Sequence, residues 1–157
     1  MGLRPSGHLA AFCDAGTLMF VLMVTGSRKY NAEDVVDNAF RRVELKHGTG
    51  LLIHGAAKGA DQLCARVAAR RGWQLEPHPV TDWNRPDGSL DRAAGHRRNA
   101  RMIARNPDGV LAFFQPGERN AGTRGATMLA VKKNIPVVCF WGAEQVTWEQ
   151  VQERLPS

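Results

Sequence analysis

Phe20 to Tyr30 reads FVLMVTGSRKY: an apolar run of strand length that stops at a threonine, a glycine, a serine and an arginine. A helical pattern follows, because Val36, Ala39, Phe40 and Val43 recur at three- and four-residue steps after Asn31, a residue suited to cap a helix. A buried strand that opens through a hydroxyl-bearing, cationic turn onto a helix is a place where an anion can bind. Gly26 permits the tight turn. Thr25 and Ser27 can donate hydroxyl hydrogen bonds, and Arg28 offers a planar fork for a phosphate. A plain strand-to-helix turn with a solvated arginine explains the same residues equally well.

The same alternation runs through the rest of the chain. Leu51–His54 reads as a second strand, and Ala60, Leu63, Cys64, Val67 and Ala68 mark a second helix. A third strand falls around Trp73–Glu76, followed by a proline-broken loop containing Asp82 and Trp83. A third helix through AGHRRNARMIARN stops before Pro107, since proline disfavours helical geometry at the residue before it. Gly109–Phe114 is a strong buried strand, Gly122–Asn134 a helix, and Val137–Trp141 a strand. Thr147 and Gln150 stand at capping-box spacing ahead of a short final helix. Continuous apolar strands joined by long helical crossovers predict an α/β, Rossmann-like, doubly wound and mostly parallel sheet of about five strands, with helices on both faces. Ligands in such folds bind beyond the carboxyl ends of the strands.

Composition limits the possibilities. The 157 residues, 43% of them apolar, suit a single folded domain over 19–157. Residues 1–18 read as a disordered extension, or as sequence upstream of a start at Met19. No apolar run is long enough to span a bilayer. Cys13, Cys64 and Cys139 lack metal-ligand spacing, and the latter two read as buried thiols in a reducing, cytoplasmic setting. No metal cluster can be built from five scattered histidines, and no cofactor is implied. The formal charge of +6 favours polyanionic partners, from nucleotides to nucleic acid.

Four loops carry the candidate chemistry. Beside the first junction, the stretch HGAAKGAD places Gly55, Lys58, Gly59 and Asp61 at the opening of the second helix, without P-loop or dinucleotide-fingerprint spacing. Asp61 suits either a helix cap or contact with a ribose hydroxyl, and His54 fills the strand end. In the third loop, Trp83 suits either stacking on a base or a packing role. Arg98, Arg101 and Arg105 share a helix stripe. Arg98, beside Asn99 near the helix start, is expected to face the site, and the other two to lie on solvated surface. In the fourth, Gly122 and Thr123 open a helix with free amides and a hydroxyl. Together the glycine-bearing junctions point to one phosphate-centred pocket.

The motifs VTGSR, HGAAKGAD, TDW, AGHRRNARM and AGTRGATMLAVKKNIPVV, in that order over residues 19–141, resemble the YspA-like branch of the SLOG superfamily. The resemblance implies a Rossmann-like fold binding a nucleotide or nucleotide-derived ligand, such as an ADP-ribose relative or a nucleoside monophosphate. The role implied is that of sensor, carrier or sequestering protein. It also implies a homodimer, for which Met102 and Ile103 on the third helix offer apolar surface. The related Lonely Guy phosphoribohydrolases offer an enzymatic alternative, an N-glycosidase using Arg98 and a carboxylate such as Asp61 or Asp82. Those enzymes carry a glutamate three residues after a Gly-Thr pair, where this chain has Ala126. The DNA-processing protein of natural transformation shares the superfamily fold, which makes DNA binding a third option.

Overall fold

The computed structural model describes residues 18–156. The expectation of a disordered extension therefore falls, but for Leu18, outside the described residues. Strands β1 (Val21–Gly26), β2 (Leu51–His54), β3 (Gln74–Pro77), β4 (Gly109–Phe114), β5 (Val137–Trp141) and β6 (Glu144–Val146) form one sheet in the order β3-β2-β1-β4-β5-β6. The first five are parallel and β6 is antiparallel to β5. Helices α1 (Glu33–His47), α2 (Ala60–Arg70), α3 (Ala94–Ala104) and α4 (Ala121–Lys132) form the crossovers, and α5 (Trp148–Arg154) closes the chain. This is the expected doubly wound α/β architecture. Among the described residues no helix is long and apolar enough to cross a membrane.

The pleat sends alternate residues of each strand to opposite faces, and both faces are covered. Leu22, Val24, Leu52, Leu111 and Phe113 pack under α1 and α2, against Val36, Phe40, Leu63 and Val67. Val21, Met23, Ile53 and Val110 pack under α3 and α4, against Met102, Ile103, Ala126 and Ala130. A smaller cluster of Ala112, Phe114 and Cys139 is closed by Val146 and Val151. Met102 and Ile103 are only 1% and 2% exposed. They are core residues beneath the sheet, so the apolar surface expected for pairing two chains is used up within one.

Several boundaries differ from expectation for local reasons. Strand β1 runs two residues past Val24, because Thr25 and Gly26 still pair with Ala112 and Phe113 of β4. Asn31 does not cap α1. Its carbonyl accepts the Glu33 amide, Ala32 is the cap residue, and Glu33 and Asp34 supply the negative charge of the first turn. Asn106, before Pro107, takes the left-handed conformation just past α3. Strand β6 has no apolar run to announce it; the left-handed turn at Gly142 places its three residues beside β5. The final helix starts as read, with Thr147 Oγ1 accepting from Gln150 N at 3.1 Å and Gln150 Oε1 accepting from Thr147 N at 2.9 Å.

Tyr30 ties the β1–α1 loop to the far side of the sheet: its buried hydroxyl donates to the Gly142 carbonyl at 2.7 Å. Burial pushes the phenol above its ordinary pKa, so it stays a donor. Tyr30→Phe is expected to lower stability by about 1–2 kcal/mol, the cost of a buried carbonyl left without its donor. Urea denaturation should show a lower midpoint with an unchanged slope.

Candidate functional site

The sheet order reverses at β1, which has β2 on one side and β4 on the other. The β1–α1, β2–α2 and β4–α4 loops therefore leave the same edge around the switch point, where open α/β sheets bind ligands. They surround a cavity of about 620 Å³. Thr25, Gly26, Ser27, Arg28, Asp61, Arg98, Asn99, Gly122 and Thr123 line it, as the sequence placed them. Gly55 and Lys58 line a side cavity of about 370 Å³ that shares Arg28, Ala57, Trp83 and Arg98 with the first. Gly59 and Asp82 line neither. The Asp82 carboxylate accepts the Asn84 amide at 2.8 Å in an exposed loop.

The three junctions do not offer the same chemistry. In the first, the Ser27 amide donates to Phe113 O, and the Ser27 hydroxyl and carbonyl accept from Lys29 N and Tyr30 N. Gly26 is glycine for packing: a Cβ there would lie 2.3 Å from Ala60 Cβ and 2.9 Å from Phe113 O. In the second junction the amides of Gly55, Ala56, Ala57 and Ala60 are already engaged. Asp61 Oδ2 accepts from Gly55 N at 3.1 Å and Ala57 N at 3.3 Å, while Ala56 N donates to His54 Nδ1 and Ala60 N to Ser27 O. Asp61 thus caps the loop ahead of α2 and not α2 itself, whose N-cap is Gly59. In the third, Asn120 holds a left-handed conformation, and its amide side chain accepts from Gln115 N and donates to Gln115 O and Glu118 O. Among the described residues, the amides of Ala121, Gly122 and Thr123 make no hydrogen bond. This helix start presents three consecutive open donors to the cavity.

Arg98 is not a surface residue. It is 8% exposed, and Nη1 donates to Gly55 O at 2.5 Å and His78 O at 3.3 Å, while Nε donates to Asn99 Oδ1 at 2.9 Å. Asn99 Nδ2 continues the chain to Gly122 O at 3.5 Å. Gly55 is as close to this guanidinium as a residue can come, since a Cβ there would sit 2.4 Å from Nη1. Among the described residues no hydrogen bond reaches Nη2, which leaves that edge for the cavity. Burial draws the Arg98 pKa below the ordinary arginine value, and the Asp61 charge opposes it.

Asp61 is 5% exposed, and its Oδ1 is buried without a partner. Burial raises its pKa from 3.8 to about 6, against the pull of the Ala57 amide, Arg98, the Gly55 amide and Arg28. A carboxyl whose pKa is higher folded than unfolded stabilises fully below its unfolded value and loses that contribution as pH rises through about 6. The ionised form costs roughly 3 kcal/mol at neutral pH. Strongly perturbed groups of this kind cluster at functional sites.

The outer wall is cationic and aromatic. The Arg28 guanidinium lies 5.5 Å from the centre of the Trp83 ring, which in turn covers Gly95. Trp83 is therefore a packing platform that also lines the cavity. Arg105, expected on solvated surface, makes two 2.7 Å hydrogen bonds to Glu76 and holds that carboxyl down at about 2. Lys29, Arg92, His96, Glu118, Arg119 and Asn120 also line the cavity and were not singled out from the sequence. Gly95, Arg98, Asn99 and Met102 recur at helical steps, a face that the arginine stripe obscured. Among the described residues no group of His, Cys, Asp or Glu is placed to hold a metal ion.

Residues 20–85 match the model of the YspA, cpYpsA-related SLOG family. No curated protein gives a significant sequence match. Among solved structures, DNA processing protein A (DprA) from Streptococcus pneumoniae aligns with 88% of this chain at 16% identity and a TM-score of 0.48. A structure described as the glycotransferase of kitacinnamycin aligns with 87% of it at 17% identity and a TM-score of 0.39. The chain spans 62% and 33% of those two proteins.

Arg98→Ala would leave the Gly55 and His78 carbonyls without their donor and open a void beneath α3. A loss of about 2–4 kcal/mol in stability is expected, read by denaturant unfolding. Arg98→Lys should recover only part of it, because an ammonium cannot reach the Gly55 and Asn99 oxygens in the geometry of the fork.

Proposed function

We propose, from the match of residues 20–85 to the YspA, cpYpsA-related SLOG family, that this chain binds a nucleotide or nucleotide-derived ligand through its phosphate. The role proposed is that of sensor, carrier or sequestering protein. One observation carries the reading: the open amides of Ala121, Gly122 and Thr123, at the positive end of α4, border the same cavity as Arg28 and Arg98. A phosphate there would take amide hydrogen bonds from one side and a guanidinium from the other. Thr25 and Thr123 line the same cavity. The cavity is of the size that holds small organic ligands, about 300–1,000 Å³. The Arg28–Trp83 pair at its mouth suits a base or ribose.

A second reading, cleavage of an N-glycosidic bond in a nucleoside monophosphate, is favoured by one feature. Asp61 brings a carboxyl with a pKa of about 6 into the same cavity, suited to proton transfer near neutrality. Release of a free base from AMP, followed by chromatography, separates this reading from binding alone. Ala126 takes no part in either: it is fully buried against Val21, Met23 and Val110.

Two variants test these assignments. Calorimetric titration with ADP-ribose and AMP should show Arg28→Ala binding more weakly by about 1.5–3 kcal/mol, the scale of a charge-assisted hydrogen bond. Arg105→Ala, which breaks only the partly exposed pair with Glu76, should bind like the parent; equal losses in both would leave only general positive charge at work. Ala126→Glu should not create an enzyme but lower stability by about 3 kcal/mol or more, since it buries a carboxylate among apolar side chains. Thermal unfolding would read that loss, and a stable, active variant would reverse the placement of α4 against the sheet.

A further inference from the structure

The β2–α2 junction is built like an anion cradle and is occupied by the chain's own anion. We propose that Asp61 is the resident anion of the pocket and that it gives up its charge when a ligand's phosphate enters, so that the site binds its ligand together with one proton. The inference rests on the nucleotide reading above and adds to it a specificity device.

Its basis is the geometry of one carboxyl. Oδ2 takes the Gly55 and Ala57 amides, the donors that a glycine-bearing strand-to-helix turn would otherwise offer to phosphate. Oδ1, buried and without a partner, is the half of the group that nothing in the fold requires to be charged. What favours the carboxylate is a short set of neighbours. Arg98 from α3 and Arg28 from the β1–α1 loop act by charge, and the two loop amides act by hydrogen bonding. Within α2, Cys64 faces it as a thiol whose pKa burial raises far above neutrality, so it carries no charge. His54, at the end of β2, has its pKa lowered by burial and by His78 and Arg98, and its Nδ1 accepts the Ala56 amide. It therefore stays neutral beside the site.

Both cations that hold Asp61 ionised are also the ones an entering phosphate would neutralise. A phosphate on Arg98 Nη2 and Arg28 removes the positive potential at the carboxylate and adds negative charge nearby. The proton affinity of Asp61 then rises. The proton goes to Oδ1, the oxygen without a donor, and Oδ2 keeps both amides. No bond other than this O–H is made or broken, and the proton comes from solvent. Ligands that cannot draw in a proton, or that arrive at high pH, meet a fixed negative charge in the wall of the pocket.

Calorimetry with ADP-ribose tests this cleanly, because its pyrophosphate has no group that titrates near neutrality. Titrations at pH 7 in two non-phosphate buffers of different ionisation enthalpy should show uptake of more than about half a proton per ligand bound, and affinity should fall by about threefold or more from pH 7 to 8. Asp61→Asn should bind with no uptake and with affinity nearly independent of pH. The carbon-13 resonance of the labelled Asp61 carboxyl in the unsubstituted protein, titrated with and without ADP-ribose, should show its midpoint move upward on binding. That reading decides the matter even where the variant fails to fold. Binding without proton exchange, or uptake that persists in Asp61→Asn, would overturn the proposal and leave the nucleotide reading standing. No binding of ADP-ribose or AMP at any pH would overturn both.

Discussion

The hydrogen bond from Arg98 to the Gly55 carbonyl is the contact on which the site depends. It brings a helix from one face of the sheet to a loop that leads to a helix on the other. A guanidinium inserted at that depth is tolerated only because carbonyl and amide oxygens meet it on several sides, at Gly55, His78 and Asn99. Its position excludes a side chain at residue 55 and draws Asn99 toward Gly122. The β2–α2 and β4–α4 loops are thereby registered against each other through α3. The cavity has its shape because that one buried charge has to be satisfied.

From this follows a division of labour among junctions that look alike in sequence. Each has a strand end, a glycine and a helix start. One turns its glycine inward to let α2 approach the sheet, one fills its amides with Asp61, and one leaves three amides open. Glycine at a strand-to-helix turn therefore says that backbone comes close to something. Whether that is a helix, a guanidinium or a ligand is decided by the neighbours.

This is also the measure of what the sequence could disclose. Strands β2, β4 and β5 were legible to the residue, because each is a continuous apolar run between punctuating residues. The capping box of α5 was legible because its chemistry is local. Strand β6 was not, since three half-polar residues become a strand only when a turn delivers them to an existing edge. The gathering of Thr25, Arg28, Asp61, Arg98 and Thr123 around one cavity followed from the strand order and could be read ahead. The depth of Arg98 could not, because it arises from a long-range hydrogen bond between segments that carry no mutual signal. The Asp61 carboxylate turns back on Gly55 and Ala57 of its own loop, where the residue types alone suit a cap of α2 just as well.

The order of the strands also bears on how such a pocket can change through descent. The stretch that matches the SLOG family model ends at residue 85, after β3, so it holds Asp61 and Arg28 but neither α3 nor α4. The open amides and Arg98 are encoded separately, on the far side of the switch point. The two stretches are nevertheless tied, because Arg98 hydrogen-bonds Gly55 and its charge bears on Asp61, so a change in α3 is felt in the other half. In a sheet wound outward from one central strand, the two halves of a switch-point cavity come from separate stretches of chain and yet have to change together.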